Sequence, residues 1–573
     1  MIDPLVLVIL GIVVIAVATS IGPRLNIAGP LLLMLLGLGV SLLPFVDVPE
    51  IDPEIILVGV LPPLLYSAAV SLPAIEFRRD FRPIAGLSVV LVLLTAVALA
   101  FFFMAVIPSL PFLLALALGA ILSPTDAVAT SIVKRLGISR RVTTLLEGES
   151  LLNDATSLII LRVAVAGVAA GGGFSPGTFV GAFVWGAVIA VVIGALTGYL
   201  ALRLRALVRH SAANTAIGFV VPFAAYLPTE ELGGSGLVAS VVAGIVVGQG
   251  AARRFTPEQR LSDELNWRTV ELVLEGAVFL LMGLELKSIL DANLGSDHGI
   301  WHGLWLAAAA LGIVLVVRGA WVSMLVWIQS RRARTKERER LEVFEARIDE
   351  FAQSSPEDRR GSPALHEKRV SGARRRLARA FADLDYYQAS PLGWKHGSII
   401  AWAGMRGVVT LAAAQTLPRE TTERPLLIFV AFLVAVGSLA LQGFTLPWVV
   451  RALRLDGGDE DIVDQADQKR IDEELRVAAA SALHRGGLTR LDGSEFPAEF
   501  VERVGSRLTT PPDEETTARA RDVLEVRLLL IEAMRTRLVE ISSDGTYSTA
   551  ALRHALAELD ADELSLRLRL DAE

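Results

Sequence analysis

The chain has 573 residues, of which 53% are hydrophobic, and its mean hydropathy is +0.53. The apolar residues occur in blocks of roughly 17–25 residues, each long enough to cross a hydrocarbon core about 30 Å thick, which excludes a soluble globular protein. The chain has no cysteine, which excludes disulfides, thiolate metal sites and cysteine nucleophiles. The net charge of −7 is an average over unlike segments and indicates no particular partner.

Thirteen hydrophobic segments predict an all-α polytopic membrane protein with thirteen transmembrane helices. The first segment lacks a basic leader and a small-residue cleavage site, so we expect it to be retained as a span. In chain order the predicted spans cover residues 5–21, 27–43, 54–71, 83–107, 112–133, 148–171, 176–202, 214–228, 234–250, 268–287, 301–330, 394–417 and 425–450.

Basic residues are distributed unevenly between the predicted loops. The loops after spans 1, 3, 5, 7 and 9 hold fifteen arginines and lysines, whereas those after the even-numbered spans 2 to 12 hold three. Because short cytoplasmic loops carry an excess of basic residues, the odd-numbered spans are predicted to end in the cytoplasm. The protein is therefore expected in the plasma (inner) membrane, with its N-terminus outside and its C-terminus cytoplasmic.

Two charged segments divide the chain into four predicted parts. Residues 1–330 hold spans 1–11, residues 331–393 form a charged cytoplasmic loop, residues 394–450 hold spans 12 and 13, and residues 455–573 form a helical cytoplasmic domain. The loop begins with a sequence that favours a charged helix, and its middle, QSSPEDRRGSP, favours a flexible segment. For the C-terminal domain, a regulatory or assembly role and inert helical packing both remain open.

Span 5 contains the polar sequence SPTD in an apolar segment. Pro124 removes a helical hydrogen bond and clashes with the preceding turn, so we expect the helix to break near residues 123–125. The freed carbonyl groups and the Thr125 hydroxyl are suitable ligands for a hard monovalent cation, next to the carboxylate of Asp126. The alternative is a proline kink in which Asp126 only caps the start of a helix.

Span 6 begins with EGESLLNDATSLII, in which two pairs of polar residues are spaced by four. Ser150 and Asp154 lie on one helical row, and Glu149 and Asn153 lie on the neighbouring row. Ser150 and Asp154 can therefore offer oxygen atoms to one ion, and the antiparallel arrangement of spans 5 and 6 brings Asp126 near Asp154. The alternative is a polar contact that only joins two helices. Glu147 is expected nearer the interface.

Two arginines lie inside predicted spans and must be paired, because an unpaired buried charge is very costly. Arg406 lies between two glycines in span 12, and its expected partners are Glu149 and Asn153. Glu275 in span 10 and Arg318 in span 11 are expected to form a second, structural ion pair.

Spans 5 and 12 are the two with polar or glycine-rich centres, and they differ by seven in the chain order. With strict alternation they run in opposite directions, so spans 1–6 and 8–13 are predicted to form two inverted six-helix repeats with span 7 as a linker. This arrangement is associated with binding at the membrane midplane and alternating access.

Three motifs in this order, ALALGAILSPTDAVAT, LLEGESLLNDATSLII and AGMRGVVTLAAA, closely resemble the monovalent cation/proton antiporter-1 family, the Na+/H+ exchanger family. The resemblance covers essentially residues 1–450. It implies the Na+/H+ antiporter fold with broken helices, a homodimer, and an elevator-like movement of a core domain. It differs at Ser67, where many relatives carry an acidic residue.

The resemblance also implies roles for individual residues. Asp154 matches the aspartate that carries the ion and the proton, and the preceding Asn153 is typical of the electroneutral branch. The implied ion and proton ligands are Asp154, Asp126, Ser150, Thr125 and Asn153, with Na+ at Asp154, Ser150, Asp126 and Thr125. The implied structural charge cluster consists of Glu149, Arg406, Glu275 and Arg318.

These observations predict a secondary antiporter that exchanges a monovalent cation, Na+, for H+ by alternating access, with both ions competing at Asp154. No phosphate-binding Gly-Lys-Ser/Thr loop is present, and no cofactor, enzymatic activity or nucleic-acid partner is expected. A K+/H+ antiporter and a passive cation channel remain open alternatives. An intramembrane hydrolase is disfavoured, because no histidine or lysine lies near Ser150 in the sequence to activate it.

Overall fold

A computed structural model describes two compact units, residues Met1–Gly457 and Gly458–Glu573. In the second unit, residues 524–534 and 561–567 are helical. The predicted flexible segment QSSPEDRRGSP lies outside the described residues, and residues 342–349 before it are helical. The structure describes residues 4–25, 28–43, 52–126, 128–169, 176–208, 210–294, 299–332, 342–349, 370–374, 376–377, 380–381, 384, 386–387, 391–419, 421, 423–455, 477, 480–481, 524–534, 559, 561–567 and 570.

The described part of the first unit is helical and contains no β-strand, as the all-α prediction requires. Its first nine α-helices are α1 (Pro4–Ile21), α2 (Gly29–Ser41), α3 (Leu61–Ser71), α4 (Ala74–Arg79), α5 (Phe81–Ala85), α6 (Leu91–Val106), α7 (Phe112–Leu122), α8 (Val128–Arg135) and α9 (Arg140–Ala169). Short π-helical turns, Ile55–Val60 and Gly86–Val90, precede α3 and α6.

The remaining helices of this unit include the longest ones. They are α10 (Pro176–Leu207), α11 (Ser211–Glu231), α12 (Gly236–Arg254), α13 (Pro257–Leu284), α14 (Leu286–Leu294), α15 (Gly299–Arg332), α16 (Trp394–Trp402), α17 (Val408–Gln415) and α18 (Arg424–Leu453). Within the described ranges, five helical segments are long and apolar enough to cross a membrane: Phe81–Val106, Arg140–Ala169, Pro176–Leu207, Ile300–Gln329 and Arg424–Leu453.

Several helices begin before the apolar segments that predicted them. Helix α13 begins at Pro257, whereas its predicted span begins at residue 268. The Thr256 hydroxyl accepts a hydrogen bond from the Gln259 backbone N–H (3.2 Å), and the Gln259 side chain accepts one from the Thr256 N–H (3.1 Å). This capping box starts the helix in a polar sequence, which a hydropathy window does not detect.

The helices pack in two groups. In the first, α12 packs on α10, α11 and α3. Small residues allow this close approach, since a Cβ atom added at Gly194 would overlap the Ala239 carbonyl and one added at Gly244 would overlap the Tyr66 carbonyl. In the second group, α7 packs on α6 and α9, and α15 packs on α6, α16 and α18. The candidate site lies in the second group.

Candidate functional site

Two helices of the second group are interrupted at their centres. Helix α7 ends at Leu122 and α8 begins at Val128, while α16 ends at Trp402 and α17 begins at Val408. The first interruption contains Pro124, as the sequence predicts. The second contains the two glycines that flank Arg406, Gly404 and Gly407, and the helix is broken there from residue 403 to residue 407.

The two interruptions contact each other and satisfy each other's backbone groups. The Asp126 N–H donates to the Met405 carbonyl (2.7 Å), and the Arg406 Nε donates to the Leu122 carbonyl (3.2 Å). The Arg406 N–H in turn donates to the Ser438 hydroxyl of α18 (2.9 Å). Non-helical backbone is tolerated inside an apolar protein only where such partners exist. The two interruptions therefore depend on each other, and we call their contact the crossing.

Helix α9 contacts the first interruption through the row formed by Glu149 and Asn153, the row that the sequence analysis assigned to Arg406. The Thr125 hydroxyl donates to Glu149 Oε1 (3.1 Å), and Asn153 Nδ2 donates to the Thr125 hydroxyl (2.5 Å). Glu149 and Asn153 are each only 1% exposed. The Thr125 hydroxyl is therefore held between both members of one row, and Asn153 Oδ1 is buried without a hydrogen-bond partner in the described part of the chain.

The buried ion pair at this site joins Glu149 to Arg318, which corrects the expected pairing. Arg318 Nη1 bonds to Glu149 Oε1, and Nη2 donates to Glu149 Oε2 (2.9 Å) and to the Ile400 carbonyl (2.8 Å). Glu275 forms no ion pair with Arg318 among the described residues. Helix α15 packs against α16, which itself contacts α9, and the long Arg318 side chain reaches Glu149 from there.

Arg406 is also not paired with Glu149 or Asn153 in the direct manner expected. Its side chain donates to the backbone carbonyls of Leu122 and Gly404, and it is 1% exposed. Its charge lies within electrostatic reach of both Arg318 and Glu149. The physical reason is that the carboxylate of Glu149 is already occupied by Arg318, which leaves the carbonyls of the two breaks to bind the second guanidinium.

Asp154 and Asp126 lie close enough for their charges to interact. Asp154 and Ser150 are each 8% exposed, and no described side chain or backbone group forms a hydrogen bond or ion pair with the Asp154 carboxylate. Asp126 Oδ1 accepts from the Val128 N–H (3.1 Å), so this carboxylate also caps α8. The site thus combines two carboxylates. Asp126, at the break, caps α8, whereas the buried Asp154 on α9 has no hydrogen-bond or ion-pair partner among the described residues.

Glu271 on α13 was not found by the sequence analysis. It accepts a hydrogen bond from the Ser67 hydroxyl (2.5 Å), so a carboxylate occupies the surroundings of Ser67 although the residue itself is not acidic. Glu275, four residues further on, lies within electrostatic reach of Glu271 and Asp126. The spacing of four between Glu271 and Glu275 was the available signal, because it places both on one helical row.

Glu147 lies away from this cluster, as expected for a residue near the end of the apolar segment. Its carboxylate pairs with Lys134 of α8, and the Glu147 side chain is 21% exposed. Glu147 is therefore a carboxylate on the same helix as Asp154 whose ion pair, with Lys134, lies outside the contact between the two interruptions.

Comparison with protein families gives a match over most of the first unit. Residues 10–352 and 368–452 match the model of a family described as sodium/hydrogen exchanger, transmembrane. The matched ranges include both interruptions and every residue of the candidate site.

Individual proteins also resemble the chain. A Mycobacterium tuberculosis protein named an uncharacterised Na+/H+ exchanger is 28% identical over 99% of this chain and 97% of its own length. The low-affinity Na+/H+ antiporter NhaS1 of Synechocystis is 26% identical over 95% of this chain and 90% of its own length. Among solved structures, the sodium proton antiporter MjNhaP1 of Methanocaldococcus jannaschii is 19% identical and aligns with a TM-score of 0.55 over 79% of this chain and 98% of its own, which shows a common fold.

Proposed function

Because the chain belongs to the sodium/hydrogen exchanger family, we propose that it is a secondary antiporter that exchanges Na+ for H+ across the membrane. The observation that carries this proposal is the buried Asp154 carboxylate, which has no partner among the described groups. A charged carboxylate in such a place is costly until a proton or a cation neutralises it. Since either ion suffices and the two exclude each other, competition at Asp154 couples their movements.

Na+ at this site would be held by oxygen atoms from α9 and the first interruption. Ser150 and Asp154 share one helical row, and Asn153 Oδ1 is buried without a donor among the described residues. The Thr125 hydroxyl already bonds to Glu149 and Asn153, so its part as a direct ligand is secondary to its part in positioning Asn153. Hard monovalent cations favour such oxygen ligands at broken helices.

Asp126 supports cation binding without carrying the ion itself. The α8 N-terminus donates the Val128 N–H to its carboxylate, and the positive end of a helix favours negative charge there. A charge held on Asp126 attracts a cation to the neighbouring Asp154. Asp126 therefore completes the binding site, whereas Asp154 is the residue that exchanges Na+ for the proton.

The exchange is proposed to be electroneutral and to use alternating access. With one exchanging carboxylate, the occupied site bears the same charge with Na+ or with a proton. The crossed interruptions in predicted spans 5 and 12 support two inverted six-helix repeats within a thirteen-span architecture. An occupied, neutralised site passes the apolar barrier at lower cost than an empty charged one, which makes the exchange obligatory.

The wider organisation proposed for the protein follows from the sequence and the family. The chain would lie in the plasma membrane as a homodimer, with the N-terminus outside and the loop at 331–393 and the C-terminal unit in the cytoplasm. Helix α10 supports contact with lipid or a second copy, since Val184, Trp185, Val188 and Leu196 on it are all more than half exposed.

Reconstitution into proteoliposomes tests the exchange directly. We expect the wild-type protein to dissipate an imposed pH gradient on addition of Na+, and Asp154→Asn to abolish this activity because the amide can neither bind a proton nor neutralise a cation. Glu147→Gln is the matched control on the same helix and should retain the activity. Parental exchange by Asp154→Asn would contradict the proposal.

The same vesicles distinguish the alternative functions. A K+/H+ antiporter would respond to K+ in preference to Na+ and Li+. A passive channel would conduct Na+ without a pH gradient, and clamping the membrane potential with valinomycin and K+ would change its flux. We expect the Na+-dependent signal to be unchanged by this clamp, since an electroneutral exchange moves no net charge.

A further inference from the structure

A buried ion pair lies at the N-terminal end of α9, thirteen residues before Asp154. Arg141 is the second residue of α9, and Asp80 lies between α4 and α5. Arg141 Nη2 bonds to Asp80 Oδ1 (3.0 Å) and Nε to Asp80 Oδ2 (3.1 Å), with Asp80 0% and Arg141 3% exposed. Arg141 is one of the fifteen basic residues of the predicted loops after odd-numbered spans, and its sequence position alone did not predict this pair.

Two tyrosines of the charged segment 331–393 cover the ion pair. The Tyr386 hydroxyl donates to Asp80 Oδ2 (3.1 Å), and the Tyr387 hydroxyl donates to the Arg79 carbonyl (2.5 Å). The Arg141 guanidinium lies 5.6 Å from the ring centroid of Tyr386 and 4.8 Å from that of Tyr387, within cation–π distance. We call these contacts of Tyr386 and Tyr387 with Arg79, Asp80 and Arg141 the loop contact.

The loop contact lies where α9 and α15 are joined a second time. Arg141 Nη2 donates to Gln329 Oε1 of α15 (2.7 Å), and deeper in the protein Glu149 of α9 is bonded to Arg318 of α15. Asp154 lies about 20 Å further along α9 from Arg141, at 1.5 Å per residue. The tyrosines therefore hold the end of the helix that carries the exchanging aspartate.

The turn at Asp80 also connects the two packing groups of the first unit. Helix α3, which precedes it, packs on α12 of the first group, whereas α6, which follows, packs on α7 and α15 of the second. A relative movement of the two groups must bend this connection. Hydrogen bonds to Asp80 and to the Arg79 carbonyl fix the turn in one conformation.

We propose that the Tyr386–Tyr387 segment is an intramolecular ligand of the surface formed by Arg79, Asp80 and Arg141, and that its binding restrains the movement which transport requires. This inference rests on the proposed antiport, because the restraint is assigned to the helix that carries Asp154. Binding of the segment lowers the rate of exchange, and its release raises that rate without changing the cation site.

Deprotonation of Tyr386 does not release the segment at neutral pH. Burial and the charge of Asp80 raise the pKa of Tyr386 above its usual range, although Arg141 opposes the shift. The hydroxyl therefore remains protonated and continues to donate to Asp80. The charged groups that face Tyr386 are Asp80 and Glu76, which favour the protonated hydroxyl, Arg141, which opposes it, and Arg79, whose guanidinium lies 5.0 Å from the Tyr386 ring centroid.

Variants that remove the hydroxyls test the restraint. We expect Tyr386→Phe with Tyr387→Phe to raise the maximal Na+-dependent exchange rate by about fivefold or more, the effect of losing two hydrogen bonds of modest net strength, with the apparent KM for Na+ unchanged. Tyr199→Phe is the matched control, because Tyr199 also bonds to an arginine, Arg203, but lies exposed on α10. Its exchange rate should equal that of the wild type.

Hydrogen–deuterium exchange on the full-length protein in detergent provides a second readout. Backbone amides of residues 76–84 should exchange faster in the double phenylalanine variant than in the wild type, with protection of α10 unchanged. An exchange rate in vesicles equal to or below the wild-type rate would overturn the proposed restraint, as would unchanged protection of residues 76–84. A wild-type protein without Na+-dependent exchange would instead overturn the antiport itself, which separates the two failures.

Discussion

Gly407, in the second interruption, lies directly against Asp126 of the first. A Cβ atom added there would overlap the carboxylate of Asp126. Its backbone is extended, with a φ of −124°, so the requirement for glycine arises from the neighbouring carboxylate and not from the backbone conformation. Because Gly407 has no side chain, Asp126 can lie against the start of α17.

Substitution of Gly407 by alanine is expected to lower Na+-dependent exchange at least tenfold. The added methyl group must displace Asp126 from its position as the cap of α8, and overpacking of this kind typically costs about 1–3 kcal/mol. The measurement is the initial rate of pH-gradient dissipation in proteoliposomes. Gly319→Ala is the control, since Gly319 follows Arg318 but has no atom within 4 Å of the added Cβ. Equal rates for both alanine variants would show that Asp126 need not keep this position.

The neighbours of Glu149 show what residue spacing can predict and what it cannot. The spacing of four placed Glu149 with Asn153, and the structure joins both to Thr125. The choice between Arg318 and Arg406 as the partner of Glu149 could not be predicted in this way. It depends on where tertiary packing places α15 and α16 relative to α9, and both arginines are far from Glu149 in sequence.

At the scale of elements, the Glu149–Arg318 pair joins three helices. Glu149 lies on α9 and Arg318 on α15, and Arg318 also donates to the Ile400 carbonyl of α16 just before the second interruption. The pair therefore holds the broken helix against the helix that carries Asp154. Breaking a buried pair of this kind is costly, because the charge that is left has no water as an alternative partner.

Glu149→Gln is expected to destabilise the protein by about 3 kcal/mol, because it leaves the Arg318 charge buried without a carboxylate. The measurement is thermal unfolding of the purified protein in detergent, where the midpoint should fall by several degrees. Glu147→Gln removes the partly buried partner of the exposed Lys134 and should change the free energy of unfolding by less than about 1 kcal/mol. A double variant, Glu149→Gln with Arg318→Gln, should be more stable than Glu149→Gln alone.

The positions of the helix interruptions could be predicted better from the sequence than the positions of the helix ends. Pro124 has a local effect on the backbone, which is why the sequence predicts the first break, whereas the glycines around Arg406 allow either a close backbone approach or a break. Helices α9 and α13 extend into polar sequence at Arg140 and Pro257, where caps and packing stabilise them rather than apolar composition. Glu271 was missed because its bond to Ser67 joins residues 204 positions apart.

At the scale of the whole molecule, charge and hydropathy carry different information. Hydropathy predicts how many segments are apolar, and the family model and the common fold with MjNhaP1 support a membrane transporter. The order of spans and the two breaks lead to the inverted repeats proposed for the chain. Only the distribution of basic residues bears on which ends of the helices face the cytoplasm, so the orientation depends on it alone.

Labelling of single cysteines tests this orientation, and the absence of native cysteine makes the chain suitable as it stands. We expect Ser139→Cys, between α8 and α9 in a basic loop, to react with a membrane-impermeant maleimide only in inside-out vesicles. Ser296→Cys, between α14 and α15, should react only from the outside, because its loop belongs to the set poor in arginine and lysine. Reaction of both cysteines from one side would contradict the predicted alternation of spans. The two broken helices would then no longer be expected to run in opposite directions, as the inverted repeats require.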